Sequence, residues 1–416
     1  MDRCRRGVVR GVRHTRWMSG TGTLGGSSRG SGDLRVQLVK HRDGRRSYVV
    51  LDVASASFHV RADLFLASFG EGTQRTYAYH LVDHLRWLAA GRLVEETVTI
   101  EDLRRYMALS GAERAGPLGV PWRERPLGEA ALAVRATCLK GYYLDLTMRE
   151  GANPSLRAEL SVRRLASHRD RDRSALGHLV TSLASNPLSH GAPPRRHPRL
   201  LPDGARDAML AAVRTARDRM IVTWLSDSGM RIGELCGLSF CDLHLRAGHE
   251  CGERRGPHVH IVKRRNPNGA SAKTGRPVKL VEGVVTGGTV RRASPAMVDS
   301  YHEYVAEDYY RVRAVAQTDL VLVHVVGVTA GEALGTHGAR QMIERAGLRA
   351  GLGRIKPHAF RHTWATALTE ATGGNTKAVA DEGGWASSKT VEETYAHLAG
   401  DPTLEAALET IWGENS

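Results

Sequence analysis

Cysteine is scarce in this sequence, and long apolar runs are absent. The five cysteines form no C-x-x-C pair, so reduced thiols are expected rather than a disulfide framework. No run approaches the ~18 apolar residues of a membrane helix, and residues 1–35 contain no apolar stretch of the ~7–15 residues typical of a secretory signal. We therefore expect a soluble, cytoplasmic protein.

Acidic residues are also few relative to basic ones. The chain has 59 Lys and Arg against 44 Asp and Glu, a formal net charge of +15. This excess is typical of proteins that neutralise phosphates, but basic ribosomal and membrane-surface proteins share it. The 416 residues exceed a typical domain of ~100–200 residues, so we expect two domains with additional tails.

The N-terminal half divides into an arm, a hairpin and a helical domain. Residues 1–34 lack hydrophobic periodicity and are rich in Gly, Ser and Arg, which predicts a basic, disordered arm. Residues 35–57 predict a short β-hairpin, because β-prone runs flank Asp43-Gly44. Residues 58–168 predict helices, one of them capped by Thr73 or Thr76. The surface cations expected here, which could follow a DNA backbone or simply be solvated, are Arg75, Arg86, Arg104, Arg105, Arg135 and Lys140.

Residues 169–204 have the composition of a linker, with Arg, His, Pro and Ser and no sustained period. This segment could be a flexible tether or an extended strap against DNA. A second domain is expected over 205–416, with helices around a hairpin. The predicted fold class is mainly α with small β elements.

A Cys/His-rich stretch raises the question of a metal site. Zinc ligands usually occur as C-x2-4-C or H-x3-5-H pairs, and the cysteines here are unpaired. The favoured interpretation has no metal and places His258 and His260 on the exposed face of one strand. The stretch comprises Cys236, Cys241, His244, His249, Cys251, His258 and His260.

Two short motifs have the residue types that phosphoryl transfer needs to hold a phosphate. Arg231 and Glu234 follow a helix-ending Gly229 and lie three apart, so the carboxylate can brace the guanidinium. His358 and Arg361 lie in the first turn of a helix, where free N–H groups favour an anion. Each motif by itself is also common as a surface ion pair or a chance pattern.

The leaving oxygen needs an acid, and Lys273 is the candidate. The region 257–282 predicts a hairpin with strands His258–Lys263 and Arg276–Val281 and with Lys273 at its exposed tip. Unlike arginine, a lysine near phosphate can donate its proton. Lys263 and Lys279 are rivals, and all three could be solvated charges that protect a sheet edge.

Tyr395 is the candidate nucleophile among eleven tyrosines. It lies in a short polar helix after Trp385, where a phenol could point outward. With an ordinary pKa of ~10 it needs neighbouring cations or a base to lose its proton. A half-buried helix tyrosine and a core tryptophan are the alternatives.

These residues, in this order, resemble the catalytic set of the tyrosine recombinase, or phage integrase, family. The motifs are Arg231 in S-G-M-R-I-G-E-L, Lys273 in A-K-T-G, H-A-F-R at 358–361, G-W-A-S at 384–387 and Tyr395 in T-Y-A-H-L. Residues 73–88 more loosely resemble the family's helical core-binding domain. The resemblance implies a SAM-like core-binding domain and a catalytic domain that clamp DNA in a C shape.

The resemblance also implies roles for the phosphate ligands. Arg231 and Arg361 would clamp the scissile phosphate, with Glu234 orienting the first. Tyr395 would attack to form a 3′-phosphotyrosine, and Lys273 would protonate the leaving 5′ oxygen.

The remaining implications concern proton transfer, partners and cofactors. His358 would assist proton transfer, and Trp385 would support the phosphate at a position that holds His or Trp. Neither metal nor ATP is implied. Strand exchange would occur in a homotetramer on two paired sites in double-stranded DNA, with accessory DNA-bending proteins as further partners and a nucleoid-associated location.

Two departures from the family stand out. Trp385 replaces a histidine, and the Trp385-to-Tyr395 spacing is one residue longer than the commoner one.

The alternative functions are a type IB topoisomerase, a DNA-binding regulator with a vestigial catalytic domain, and a metal nuclease built on the Cys/His stretch.

Overall fold

The computed structural model describes residues 34–41, 46–111, 122–172, 177–189, 197–249, 251–281, 283–396 and 410. The arm predicted over 1–34 therefore lies outside the described residues, apart from Leu34. The chain forms two compact units, Met1–Pro193 and Pro194–Ser416. Among the described residues, no helix is both long and apolar enough to cross a membrane.

Unit 1 begins with a three-stranded antiparallel sheet. Its strands are β1 Leu34–Lys40, β2 Arg46–Asp52 and β3 Ser57–Phe58, in the order β1-β2-β3. Val50 of β2 is fully buried, because this sheet packs against the helices of the same unit. The sheet thus adds a small β element to a helical core.

Helices make up the rest of this unit. They are α1 Val60–Leu66, α2 Glu71–Ala90, α3 Ile100–Gly111, α4 Glu129–Glu150, α5 Pro154–Leu160 and α6 His168–Asp172. Helix α2 begins after Gly70, so the capping role predicted for Thr73 or Thr76 is wrong. Thr76 lies inside the helix, and its hydroxyl donates to the Gly72 carbonyl at 3.1 Å. A two-stranded sheet, β4 Arg163–Leu165 with β5 Ser182–Ala184, extends into the segment predicted as linker.

Arg135 is buried rather than exposed, which corrects the surface position expected for it. The residue is 1% exposed, and its side chain forms an ion pair with Asp83 of α2 at 2.7 Å. It also donates to the Ser110 hydroxyl and lies over the Tyr106 ring. A carboxylate and a hydroxyl together offset the cost of burying this guanidinium, which a helical periodicity cannot reveal.

The other candidate DNA contacts differ in whether their side chains already donate hydrogen bonds within the protein. Lys140 donates to the Ser185 carbonyl at 2.6 Å, and Arg86 donates to the Leu34 carbonyl. Arg75, Arg104 and Arg105 are exposed.

Unit 2 is also largely helical. Its helices are α7 Ala205–Ala212, α8 Ala216–Ser228, α9 Ile232–Leu235, α10 Pro295–Tyr304, α11 Tyr310–Val312, α12 Thr336–Arg349, α13 Pro357–Ala371, α14 Thr376–Gly383 and α15 Ser388–Val391. A π turn, Glu392–Ala396, continues α15. Met220, Trp224 and Phe360 are fully buried in its main core. The predicted fold class, mainly α with small β elements, is confirmed.

Two small sheets complete this unit. The first has the order β10-β7-β6, formed by β6 Leu243–His244, β7 His258–Ile261 and β10 Thr289–Arg292. The second pairs β8 Val278–Val281 with β9 Val284–Gly287.

The predicted hairpin between His258–Lys263 and Arg276–Val281 is therefore wrong, because β7 pairs with β10 and β8 pairs with β9. Gly283, with φ 84°, lies in the short connection between β8 and β9. The pairing of β8 with β9 therefore joins residues that are closer in sequence than the predicted pairing of His258–Lys263 with Arg276–Val281. The exposed strand face predicted for His258 and His260 is also wrong, since both side chains are fully buried.

Candidate active site

Arg231 and Glu234 lie where α8 gives way to α9. Gly229 ends α8 with φ 58°, and Arg231 immediately precedes α9. The Arg231 guanidinium donates to the Glu234 carboxylate at 2.6 Å, and the Arg231 backbone N–H donates to the same group at 2.9 Å. Because Glu234 is buried and takes both bonds, it fixes the direction of a guanidinium that stays partly exposed.

Arg361 is held by main-chain carbonyls. It lies in the first turns of α13, 1% exposed, and donates to the carbonyls of Gly229 at 2.7 Å and Gly383 at 2.8 Å. The Trp385 ring lies against it, with its centroid 3.7 Å from the guanidinium carbon. The guanidinium is thus positioned by neutral groups and an aromatic face.

Gly383 is the junction of this arrangement. Its carbonyl accepts from Arg361 and also from Arg291, and a Cβ there would lie 1.7 Å from the Trp385 ring. A side chain at Gly383 would therefore displace Trp385. The glycine lets one carbonyl accept from two guanidiniums, of which that of Arg361 lies against the indole.

Arg291 is a site residue that no sequence pattern indicates. It lies on β10, 1% exposed, donates to the Glu382 carbonyl, and comes within 3.8 Å of the Glu234 carboxylate. Burial lowers its pKa to about 10, although Glu234 and Glu382 act in the opposite direction. Its position depends on β7 pairing with β10, a long-range contact that local sequence does not encode.

His358 and Lys273 approach the same point. Burial lowers the pKa of His358, and the positive charges of Arg361, Arg231 and Lys273 lower it further. Lys273 is exposed, in the loop between β7 and β8. The four residues predicted from separate motifs therefore lie close enough in the fold to interact electrostatically.

Tyr395 faces this group from the π turn. It is 3% exposed, and its hydroxyl forms a hydrogen bond with Nδ1 of His362 at 2.8 Å. Burial raises the pKa of the phenol, while Arg361 and Arg231 act to lower it. Trp385 packs against the same ring at a centroid distance of 5.9 Å. The phenol is thus neutral and bonded to a base.

His362 is the second site residue missing from the sequence-based set. It lies one helical turn after His358, with ring centroids 4.4 Å apart. Burial lowers its pKa to about 4, with His358 and Arg361 contributing. Its spacing of four residues from His358 is the signal that could have indicated it.

The long Trp385-to-Tyr395 interval contains a π turn. A π turn closes its hydrogen bond one residue later than an α turn does, so it holds one additional residue. Residues Glu392–Ala396 form such a turn, and Tyr395 lies within it. The extra residue is absorbed locally, and the phenol still reaches the pocket of Arg361 and His362.

The positive charge of this pocket exceeds its negative charge. Burial lowers the pKa of Arg361 to about 9, and the charges of Arg231 and Arg291 contribute. Glu234 is the carboxylate that acts against this shift. Guanidiniums that lower one another's pKa favour binding of an anion, because an anion would relieve their repulsion.

Comparison with known proteins gives two sequence matches. Residues 286–401 match the model of the phage integrase family. A tyrosine recombinase XerC from Pelobacter propionicus is 27% identical over 319 residues, which cover 73% of this chain and 84% of that protein. The chain is thus similar to the phage integrase family, the tyrosine recombinases, over the matched residues. These matches support an enzyme of DNA strand breakage and rejoining.

One solved structure supports the fold. The XerH site-specific recombinase, in a post-cleavage complex with a palindromic difH substrate, has a TM-score of 0.51 and 16% identity, covering 83% of this chain and 81% of that one. The Tn1549 transposon integrase, in complex with transposon right end DNA, has a TM-score of 0.44 and 14% identity, covering 76% and 86%.

Proposed function

We propose that this protein is a site-specific recombinase that acts on double-stranded DNA through a 3′-phosphotyrosine at Tyr395 and exchanges strands between two paired sites in a homotetramer. The observation that carries the proposal is the convergence of Arg231, Arg361 and His358 around the pocket that holds the phenol. An in-line nucleophile beside preorganised cations is what a phosphoryl transfer requires.

The proposed step conserves the phosphate ester. The Tyr395 oxygen attacks phosphorus, the bond to the 5′ oxygen breaks, and the phenolic proton passes to His362 or His358. Lys273 donates a proton to the 5′ oxygen, which leaves as a hydroxyl. Attack by a 5′-hydroxyl from the paired site reverses these events, so rejoining needs neither ATP nor a catalytic metal.

The two guanidiniums act on the non-bridging oxygens. Arg231, oriented by Glu234, and Arg361, held by carbonyls, neutralise charge that grows as phosphorus becomes five-coordinate. Trp385 keeps Arg361 in place by stacking on it. A bound phosphate would also raise the pKa of Arg361 again, which makes anion binding favourable.

DNA backbone contacts in unit 1 are proposed for Arg75, Arg86 and Lys140. Arg75 is exposed on α2 and free to approach a phosphate, whereas Arg86 and Lys140 already donate to carbonyls. Arg75 is therefore expected to contribute more than the other two.

The decisive experiment traps the covalent intermediate. DNA recovered by crosslinking in cells supplies the target duplex, and a nick beside the scissile phosphate lets the short product diffuse away. Without added divalent metal, we expect a covalent protein–DNA adduct that is absent from Tyr395→Phe. Tyr310→Phe, which changes an exposed tyrosine of the same unit, is the matched control and should form the adduct normally.

Other outcomes separate the alternatives. An adduct that survives Tyr395→Phe contradicts the assignment of the nucleophile. Specific binding without any adduct supports a vestigial catalytic domain, and supercoil relaxation without joining of two site-bearing duplexes supports a topoisomerase. Strand cleavage that requires added divalent metal and leaves no covalent adduct would favour a metal nuclease.

A further inference from the structure

Four side chains that bind metals well meet on one face of the β10-β7-β6 sheet. His244 lies on β6, His258 and His260 lie on β7, and Cys251 comes from the loop between these strands. Their ligand atoms all lie within 4.8 Å of one another. The histidines are 0–2% exposed and Cys251 is 9% exposed. The exposed strand face expected from the sequence is instead a buried cluster.

The separations of the ligand atoms suit a tetrahedral ion. Nδ1 of His244 lies 3.3 Å from Nε2 of His258 and 3.1 Å from Nε2 of His260, and Sγ of Cys251 lies 3.1 Å from Nε2 of His258. Tetrahedral zinc, with Zn–N of ~2.0–2.1 Å and Zn–S of ~2.3 Å, separates two nitrogens by about 3.3 Å and a nitrogen from sulfur by about 3.6 Å. Small shifts would therefore complete such a site.

The outer hydrogen bonds orient the rings for this purpose. Nδ1 of His258 donates to the Gly256 carbonyl, and Nδ1 of His260 donates to the Gly287 carbonyl, both at 2.7 Å. A neutral ring with its proton on Nδ1 has a lone pair on Nε2. Both lone pairs converge on Nδ1 of His244, where one proton can satisfy only one of them. Metal-bound histidines commonly have this kind of backbone bond on the far nitrogen.

We propose that His244, Cys251, His258 and His260 bind one zinc ion with a structural role. Three imidazoles and a thiolate favour zinc over the hard cations magnesium and calcium. Four protein ligands fill a tetrahedron and leave no position for water or substrate, so the ion stabilises the fold and takes no part in the chemistry.

The position of the site explains what the ion would hold together. Its ligands join β6, the loop before β7 and β7 itself, and the Gly287 carbonyl links the cluster to β9. Because Arg291 of β10 pairs with Val259, it lies on the opposite face of the sheet from His258 and His260. The zinc would therefore anchor the sheet that positions Arg291 in the candidate active site.

The test is metal content and cobalt spectroscopy on the full chain, purified without a histidine tag. We expect about one zinc per chain by elemental mass spectrometry. Replacement with Co²⁺ should give the visible bands of a tetrahedral ion and a thiolate charge-transfer band. Cys251→Ser should lose the charge-transfer band and weaken Zn²⁺ binding by at least about 100-fold. Cys241→Ser, an exposed cysteine outside the cluster, is the matched control and should keep both.

A second measurement avoids dependence on variants that fold poorly. Chelation should lower the melting temperature of the unmodified chain, and added Zn²⁺ should restore it. Wild-type protein that binds neither Zn²⁺ nor Co²⁺, or a charge-transfer band that persists in Cys251→Ser, overturns the proposal. Adduct formation is not the readout, so failure here is distinct from failure of the proposed recombination.

Discussion

Both units bury arginine almost completely, but Arg135 in unit 1 and Arg361 in unit 2 have different partners. Arg135 in unit 1 forms an ion pair with Asp83 at 2.7 Å. Arg361 in unit 2 is bonded to the carbonyls of Gly229 and Gly383 and has other guanidiniums nearby. The Asp83 carboxylate neutralises the charge of Arg135. The two carbonyls hold Arg361 in position without neutralising its charge, which can therefore still bind an anion. The comparison separates an arginine that stabilises a core from one that awaits an anion.

The largest effect is expected at the arginine with uncompensated charge. Arg361→Lys should lower the single-turnover rate of adduct formation by about 10³-fold, because lysine cannot keep both carbonyl bonds and still present a planar donor pair to phosphate. Arg345→Lys, at an exposed position, should react normally. An unchanged rate in Arg361→Lys would place the anion elsewhere.

The next effect concerns stability in unit 1. Arg135→Leu should lower the free energy of unfolding by about 3 kcal/mol, since it leaves Asp83 without its nearest guanidinium. Urea denaturation measures this. Adding Asp83→Asn should recover part of the loss while keeping an acceptor for the Tyr106 hydroxyl. Equal stability of the single and double variants would show that the ion pair is not the cause.

The pH dependence of stability tests the surroundings of Arg135 through a neighbouring histidine. Burial lowers the pKa of His84 to about 3, and Arg135 contributes. A lowered folded-state pKa gives stability that is present above the unfolded pKa of ~6.5 and is lost as the pH falls towards 3. Between pH 7 and pH 5, His84 should lower the free energy of unfolding by about 2 kcal/mol.

Thermal melting at several pH values tests this assignment. His84→Gln should flatten the pH dependence of the melting temperature between pH 7 and pH 5. His41→Gln, at an exposed position, should leave it unchanged. An identical slope in His84→Gln would mean that other groups cause the acid sensitivity.

The smallest effect is expected on the surface of unit 1. If Arg75 contacts one phosphate, Arg75→Ala should reduce the slope of log affinity against log salt by about 0.9. Arg104 forms an ion pair with Glu101 at 2.6 Å, so Arg104→Ala should change the slope less. Fluorescence anisotropy with the target duplex measures both, and equal slopes in all three proteins would remove Arg75 from the interface.

The sequence predicts the parts of the site that depend on local order. Arg231 with Glu234, and His358 with Arg361, are set by helix starts that Gly229 and Pro357 indicate. Helices α2, α3 and α4 are predicted by apolar periodicity. These features need only a few neighbouring residues to form.

Long-range contacts are the part that the sequence does not predict. Arg291 enters the site because β10 pairs with β7, and nothing near Arg291 indicates that partner. Arg135 lies on a helix face that the sequence predicts to be exposed. It is buried because Asp83 of another helix forms an ion pair with it. His258 and His260 alternate as a half-exposed strand would, but β6 and the loop before β7 cover them. In each case a residue distant in sequence decides the environment.

The wide turn that holds Tyr395 has a consequence for how strictly this architecture fixes chain length. The surplus residue is stored in one turn, so everything before Glu392 keeps its alignment with the indole of Trp385. Deleting one residue there would return the turn to ordinary α geometry and leave one residue fewer between the indole and the phenol. The number of residues between the indole and the phenol is therefore adjustable. A search for relatives that requires one fixed number of residues between them would miss proteins with this kind of turn.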